Sequence, residues 1–172
     1  MNMKTMKHYV LALVALFSVT TASFAQTSKV AHINVQQLLM DMPEMKAAQE
    51  ELKKLEATYR ADIESSVAEL QKKLVTYQNE AASKTAEENK ARADELQGAE
   101  RNIQNAEQAA MGELQRKQQD LFAPISEKAK VAIEKVAAAQ GFDYVIDASP
   151  GSGLIVFTGK DLMADVKKEL GF

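Results

Sequence analysis

From Pro43 to Gln140 the chain runs 98 residues with only Gly98, Gly112 and Pro124 to interrupt it, and it is dense in Ala, Glu, Gln, Lys and Leu. In its first half Leu52, Leu55, Tyr59, Ile63, Val67, Leu70, Leu74 and Tyr77 follow one another at intervals of three or four. That spacing lines one face of a helix with apolar groups and leaves the others polar. No strand fits it. The pattern breaks at Ala81-Ala82-Ser83-Lys84-Thr85, and Thr85-Ala86-Glu87-Glu88 reads as a capping box that starts a second helix. Two long helices folded back on each other therefore dominate the molecule, with a tip near residues 81–86. At about 1.5 Å per residue the outgoing helix extends on the order of 55 Å, farther than a small domain is wide.

The return helix is thinner in apolar material. From Leu96 to Leu121 its large apolar residues within that span are Ile103, Met111 and Leu114, set among Ala99, Ala106, Ala109 and Ala110. Alanine contacts gain little from burial, and Gly98 and Gly112 each cost about 1 kcal/mol relative to Ala, so the outer arm is expected to be soft. Pro124 removes a backbone donor and predicts a kink where arm meets body. Beyond it Ile125, Ala129, Ala132, Ile133 and Val136 restore a strong stripe, and Gly141 is placed to cap the helix.

The β-forming residues lie at the two ends. Lys29 to Val35 alternates, with Ala31, Ile33 and Val35 on one face, and predicts a strand followed by a short helix over Gln36 to Met40. Phe142 to Asp147 and Leu154 to Thr158 predict two further strands joined by Ser149-Pro150-Gly151-Ser152-Gly153, and Asp161 to Leu170 predicts a closing helix. The fold class is α+β, a long antiparallel helical hairpin inserted between strands of a small β body. By segment, residues 26–42 hold the first strand and short helix, 43–123 the arm, and 124–172 the end of the return helix, two strands and the last helix.

Before all this stands a targeting signal. Lys4 and Lys7 precede the apolar run Tyr9 to Val19, and Ser23-Phe24-Ala25 offers the small residues a signal peptidase reads. Residues 1–25 are expected to be removed, with cleavage between Ala25 and Gln26. The apolar run is about half of the roughly 20 residues a membrane span requires. With no cysteine the chain forms no disulfide and carries no lipid on a cysteine. Export without bridges suggests a periplasm. Cleavage leaves 19 basic against 24 acidic residues, a formal charge of −5. That balance argues against nucleic acid and against purely electrostatic attraction to anionic lipid.

Three short strands and a helix make a body too small to cover its own apolar faces. Ile33, Val35, Tyr144, Ile146, Ile155 and Phe157 are expected to find further partners in sister copies, and cyclic symmetry would point the arms to one side.

In this order the motifs resemble the OmpH/Skp family of periplasmic chaperones. The resemblance covers essentially the whole mature chain. It rests on Val30-Ala31-His32-Ile33-Asn34-Val35-Gln36-Gln37-Leu38-Leu39, on Met42-Pro43-Glu44 where the arm begins, and most of all on Ala132 to Ala137 with Gly141-Phe142-Asp143-Tyr144-Val145-Ile146-Asp147. It implies a homotrimer in which helical arms enclose a cavity and hold unfolded outer-membrane β-barrel proteins without ATP. Well-known members are strongly basic, whereas this mature chain is acidic.

Chemistry has few candidates. His32 is the one histidine of the mature chain, so no His/Cys metal or nucleophile set exists, and neither cofactor nor enzymatic activity is expected. Gly153 to Gly159-Lys160 looks like a phosphate loop, but it is one residue too long and Asp161 stands where Ser or Thr would bind magnesium. Two functions are weighed: a holdase with yielding arms, and a structural or adaptor coiled coil that docks its tip on another machine. For the holdase, Tyr77 and Met111 are candidate client-facing residues, although side chains at this spacing more often face the partner helix.

Overall fold

The computed structural model describes residues 28–172. The expected signal and its cleavage point, Ala25 and Gln26, lie outside the described residues. In order come β1 (Val30–Ile33), α1 (Val35–Asp41), α2 (Pro43–Glu80), a 3-10 turn (Ala81–Ser83), α3 (Ala86–Gln140), β2 (Tyr144–Asp147), β3 (Lys160–Asp161) and α4 (Met163–Leu170). The molecule is α+β, with the hairpin of α2 and α3 inserted between β1 and β2.

Local chemistry sets the ends of the long helices. Pro43 stands at the start of α2 and Met42 before it is extended, because proline excludes helical geometry from its predecessor and lacks only a donor that a first turn leaves unused. At the tip the Glu88 N–H donates to Thr85 Oγ1 at 3.1 Å and the Thr85 N–H donates to the Glu88 carboxylate at 2.8 Å. This reciprocal pair is the capping box predicted from the sequence. Gly141 ends α3 at φ 70°, and the Phe142 N–H closes the turn on the Ala137 carbonyl at 2.9 Å. Helix α3 continues through Pro124. Buried Ile125 and half-buried Leu121 and Phe122 anchor both flanks of the proline in the core, so packing carries the helix across the missing donor.

The sheet has the order β2-β1-β3 with both pairings parallel, and it departs from expectation in three places. Strand β1 is therefore central, and Ala31, His32 and Ile33 are all buried rather than alternating in and out. Val35 leaves the strand to open α1, since Asn34 accepts the Gln37 N–H at 2.8 Å and caps that helix. Leu154 to Thr158 forms no strand. Both sides of the central β1 are taken, by β2 and by Lys160–Asp161, and the stretch runs into β3 without pairing to either outer edge of the sheet.

The core joins the chain's two ends. Leu38, Met42, Met45 and Ala48 meet Ile125, Ala129, Ala132 and Val136 of α3, with Leu162 and Val166 closing over them. Along the arm the seam is only half-buried, and Ala110 alone of its side chains beyond the root is fully so. Leu38 is 0% exposed. Replacing it with Ala should cost about 2–5 kcal/mol in urea unfolding, whereas Val75→Ala, at a side chain of α2 that is 56% exposed, should stay within about 0.5 kcal/mol.

Candidate functional site

Two surfaces stand out: the outer face of the hub and the arm. On the hub Tyr144 and Ile146 share one exposed face of β2, and β2 is an edge strand whose outer backbone groups have no partner strand among the described residues. Ile155 is 91% exposed and Val156 76%, while Phe157 sets its ring 4.8 Å from that of His32. Beside them Val35, Leu39, Ile133, Phe142 and Val145 line a hollow of about 510 Å³. Of the six residues expected to form a shared body, Ile33 is 1% exposed within its own chain and lies at the floor of this hollow. Val35 is half-buried, and the other four are exposed.

This face is held in place by a polar clasp. The carboxylate of Asp147, at the end of β2, accepts the Val35 N–H at 3.2 Å, and Ser149 Oγ accepts the Gln36 N–H at 3.0 Å. The Ser149 N–H and hydroxyl both donate to Asp147, at 2.9 and 2.6 Å. Residues far apart in sequence thus satisfy the free donors at the start of α1. Burial works to raise the Asp147 pKa, but the hydrogen bonds from the Ser149 hydroxyl and N–H and from the Val35 N–H outweigh it and hold the carboxyl below its usual value.

Along the arm the cross-helix pairs keep one register. Glu51 meets Lys117 at 2.8 Å, the Tyr59 hydroxyl donates to Glu113 at 3.3 Å, Lys73 meets Glu95 at 2.7 Å and Arg92 meets Glu80 at 2.6 Å. From Glu51–Lys117 to Lys73–Glu95 the pairs step 22 residues outward on α2 and 22 back on α3, and from Tyr59–Glu113 to Glu80–Arg92 they step 21 and 21. Near the tip the bonding is dense: Tyr77 donates to Glu95 at 2.6 Å, the Arg92 guanidinium lies 4.4 Å from the Tyr77 ring centre, and the Asn89 amide donates to the Ala81 carbonyl at 2.9 Å. The ammonium of Lys73 first, then the Tyr77 hydroxyl, hold the Glu95 carboxyl below its usual value. Tyr77 is therefore engaged within the hairpin. Met111 is 66% exposed.

Among the described residues no cluster of His, Cys, Asp and Glu is arranged to hold a metal ion, and no helix is long and apolar enough to cross a membrane. The phosphate-loop likeness dissolves into β3 and the start of α4. Lys160 pairs with Asp165 at 2.9 Å, and Asp161 accepts the Met163 N–H at 2.8 Å.

The profile of a family described as outer membrane protein (OmpH-like) matches residues 29–170, arm and hub together. The chain belongs to the OmpH-like family. Among solved structures, a candidate outer membrane chaperone (OmpH-like) from Caulobacter crescentus CB15 superposes on this OmpH-like chain with a TM-score of 0.74, at 15% identity and over 83% of each chain. At that identity the likeness shows the fold. No curated protein matches the sequence.

The clasp can be tested by pH. Asp147→Asn, which keeps an acceptor oxygen but removes the charge that strengthens these hydrogen bonds, should lower stability by about 1 kcal/mol at neutral pH. Because the folded pKa is depressed, the stabilising contribution is present above the ordinary value of 3.8 and is lost as pH falls through the folded value. Thermal melts of variant and wild type should therefore converge in strong acid and separate as pH rises.

Proposed function

We propose that this protein is a periplasmic holdase, a chaperone that shelters unfolded outer-membrane β-barrel proteins between the arms of several copies without ATP. The observation that carries this reading is the contrast along one molecule: a well-filled hub, and a long arm whose mid-section is only half-buried along its seam. An arm of that kind adapts to clients of different size at small cost, since opening a region with few buried contacts takes little free energy. Release needs no ATP, because a better-bound acceptor draws the client away. Membership of the OmpH-like family supports the reading, as does the chaperone naming of the Caulobacter protein.

Assembly is part of the proposal. The sheet leaves two unlike free edges, β2 on one side and β3 on the other, a geometry that favours head-to-tail closure into a ring. A homotrimer, as the resemblance implies, would cover Tyr144, Ile146, Ile155 and Phe157 and hang the arms on one side.

One observation favours a second reading. The tip is bound by Arg92, Tyr77, Glu80 and Asn89 more firmly than the middle of the arm, and an ordered tip suits an adaptor that docks there.

The mature protein should suppress aggregation of a urea-unfolded barrel protein on dilution, at near-stoichiometric ratio, and light scattering should give a trimer. No protection at any ratio removes the holdase. Tyr144→Asp should shift the scattering mass toward the monomer; a wild-type monomer would defeat the shared hub.

A further inference from the structure

Midway along the arm, α2 and α3 leave a cleft of about 610 Å³ between them. Half-buried Ile63, Leu70 and Ile103 with buried Ala110 form its floor, and exposed Asp62 and Glu69 stand on its rim. Its origin is the uneven seam. At the level where α2 presents Ile63 and Leu70, α3 answers with Ala99, Asn102, Ala106 and Ala109, which fill little of the space.

The cleft also concentrates charge. The arm, residues 43–123, holds 16 acidic against 12 basic residues, so it carries most of the acidity of the mature chain. Flanking the cleft, residues 61–71 and 97–111 hold Asp62, Glu64, Glu69, Glu100 and Glu107 against Arg101 alone. Of the cations at its two ends, Lys73 pairs with Glu95 and Arg116 with Glu113 at 3.0 Å, while Lys72 makes no ion pair among the described residues. Asp62 and Glu69 make no ion pair among the described residues.

We propose that this cleft binds an extended segment of unfolded polypeptide in which a lysine or arginine flanks apolar side chains. The proposal rests on the chaperone reading and adds to it a place on the arm and a charge preference. An apolar side chain of the segment enters between Ile63, Leu70 and Ile103, removing that floor from water. The neighbouring cation meets Asp62 and Glu69, where an acidic segment would be repelled. The volume falls within the ordinary range of binding clefts, roughly 300–1,000 Å³.

The test uses the intact mature protein and two fluorescein-labelled peptides of alternating leucine and serine, one with lysine at two serine positions and one with glutamate there. Anisotropy at low salt should show the lysine peptide bound at least about threefold more tightly. The preference should shrink in about 0.5 M sodium chloride, where the Debye length falls to a few ångströms. Asp62→Asn combined with Glu69→Gln should abolish the preference. Ala106→Leu, which fills the cleft, should weaken both peptides, with circular dichroism verifying that the helices remain. Equal binding of the two peptides by the wild type, or a preference that survives in the double variant, overturns the proposal. So does an Ala106→Leu variant that folds and binds both peptides unchanged. If the preference holds and is lost in the double variant while aggregation is never suppressed, the cleft stands as a peptide site and the holdase reading falls.

Discussion

The structure depends on one apolar join. Leu38, Met42 and Met45, which lead into the arm, pack against Ile125, Ala129 and Val136, which lead out of it, and Leu162 and Val166 close the contact from the end of the chain. Apolar burial is worth roughly 25 cal/mol per Å², so a cluster with five large side chains almost wholly shielded, among them Ile33 and Leu38, outweighs anything along the exposed arm. The join fixes the angle and register at which two very long helices leave the hub. The hydrogen bonds among Val35, Gln36, Asp147 and Ser149 then tie the sheet to the same root, so that strand, helix start and arm base move as one piece.

From that root outward the kind of bonding changes. Near the hub it is apolar, in the middle thin, and at the tip mostly polar, where Arg92 lies against Tyr77 and pairs with Glu80. Exposed ion pairs are individually worth about 0–1 kcal/mol. Arg92 is better placed, because its side chain is only 19% exposed and makes both a charge pair and an aromatic contact. Contacts are thus thinnest in the middle instead of fading steadily toward the end.

What the sequence disclosed follows the range of the forces involved. Helix limits were legible because their causes lie within four residues: Pro43 after Met42, Thr85 with Glu88, Gly141 after Gln140. The sheet was less so. Ala31-His32-Ile33 alternates in hydrophobicity, yet all three are buried, since coverage of both faces is decided by elements more than a hundred residues away. The same distance hid the failure of Leu154 to Thr158 to pair, and the commitment of Ile33 to its own core. The cleft left a visible trace, large residues on α2 facing alanines on α3 among unpaired carboxylates. That trace becomes a cavity only once the helix register is known.

The matched stepping from Glu51–Lys117 to Lys73–Glu95, and from Tyr59–Glu113 to Glu80–Arg92, has a consequence for evolution and for engineering. These rungs form a ladder, and a ladder can be lengthened or shortened by equal cuts in both rails. The reach of the limb is then a free variable, adjustable by paired insertions or deletions that leave the root, the tip and the faces of both helices as they are.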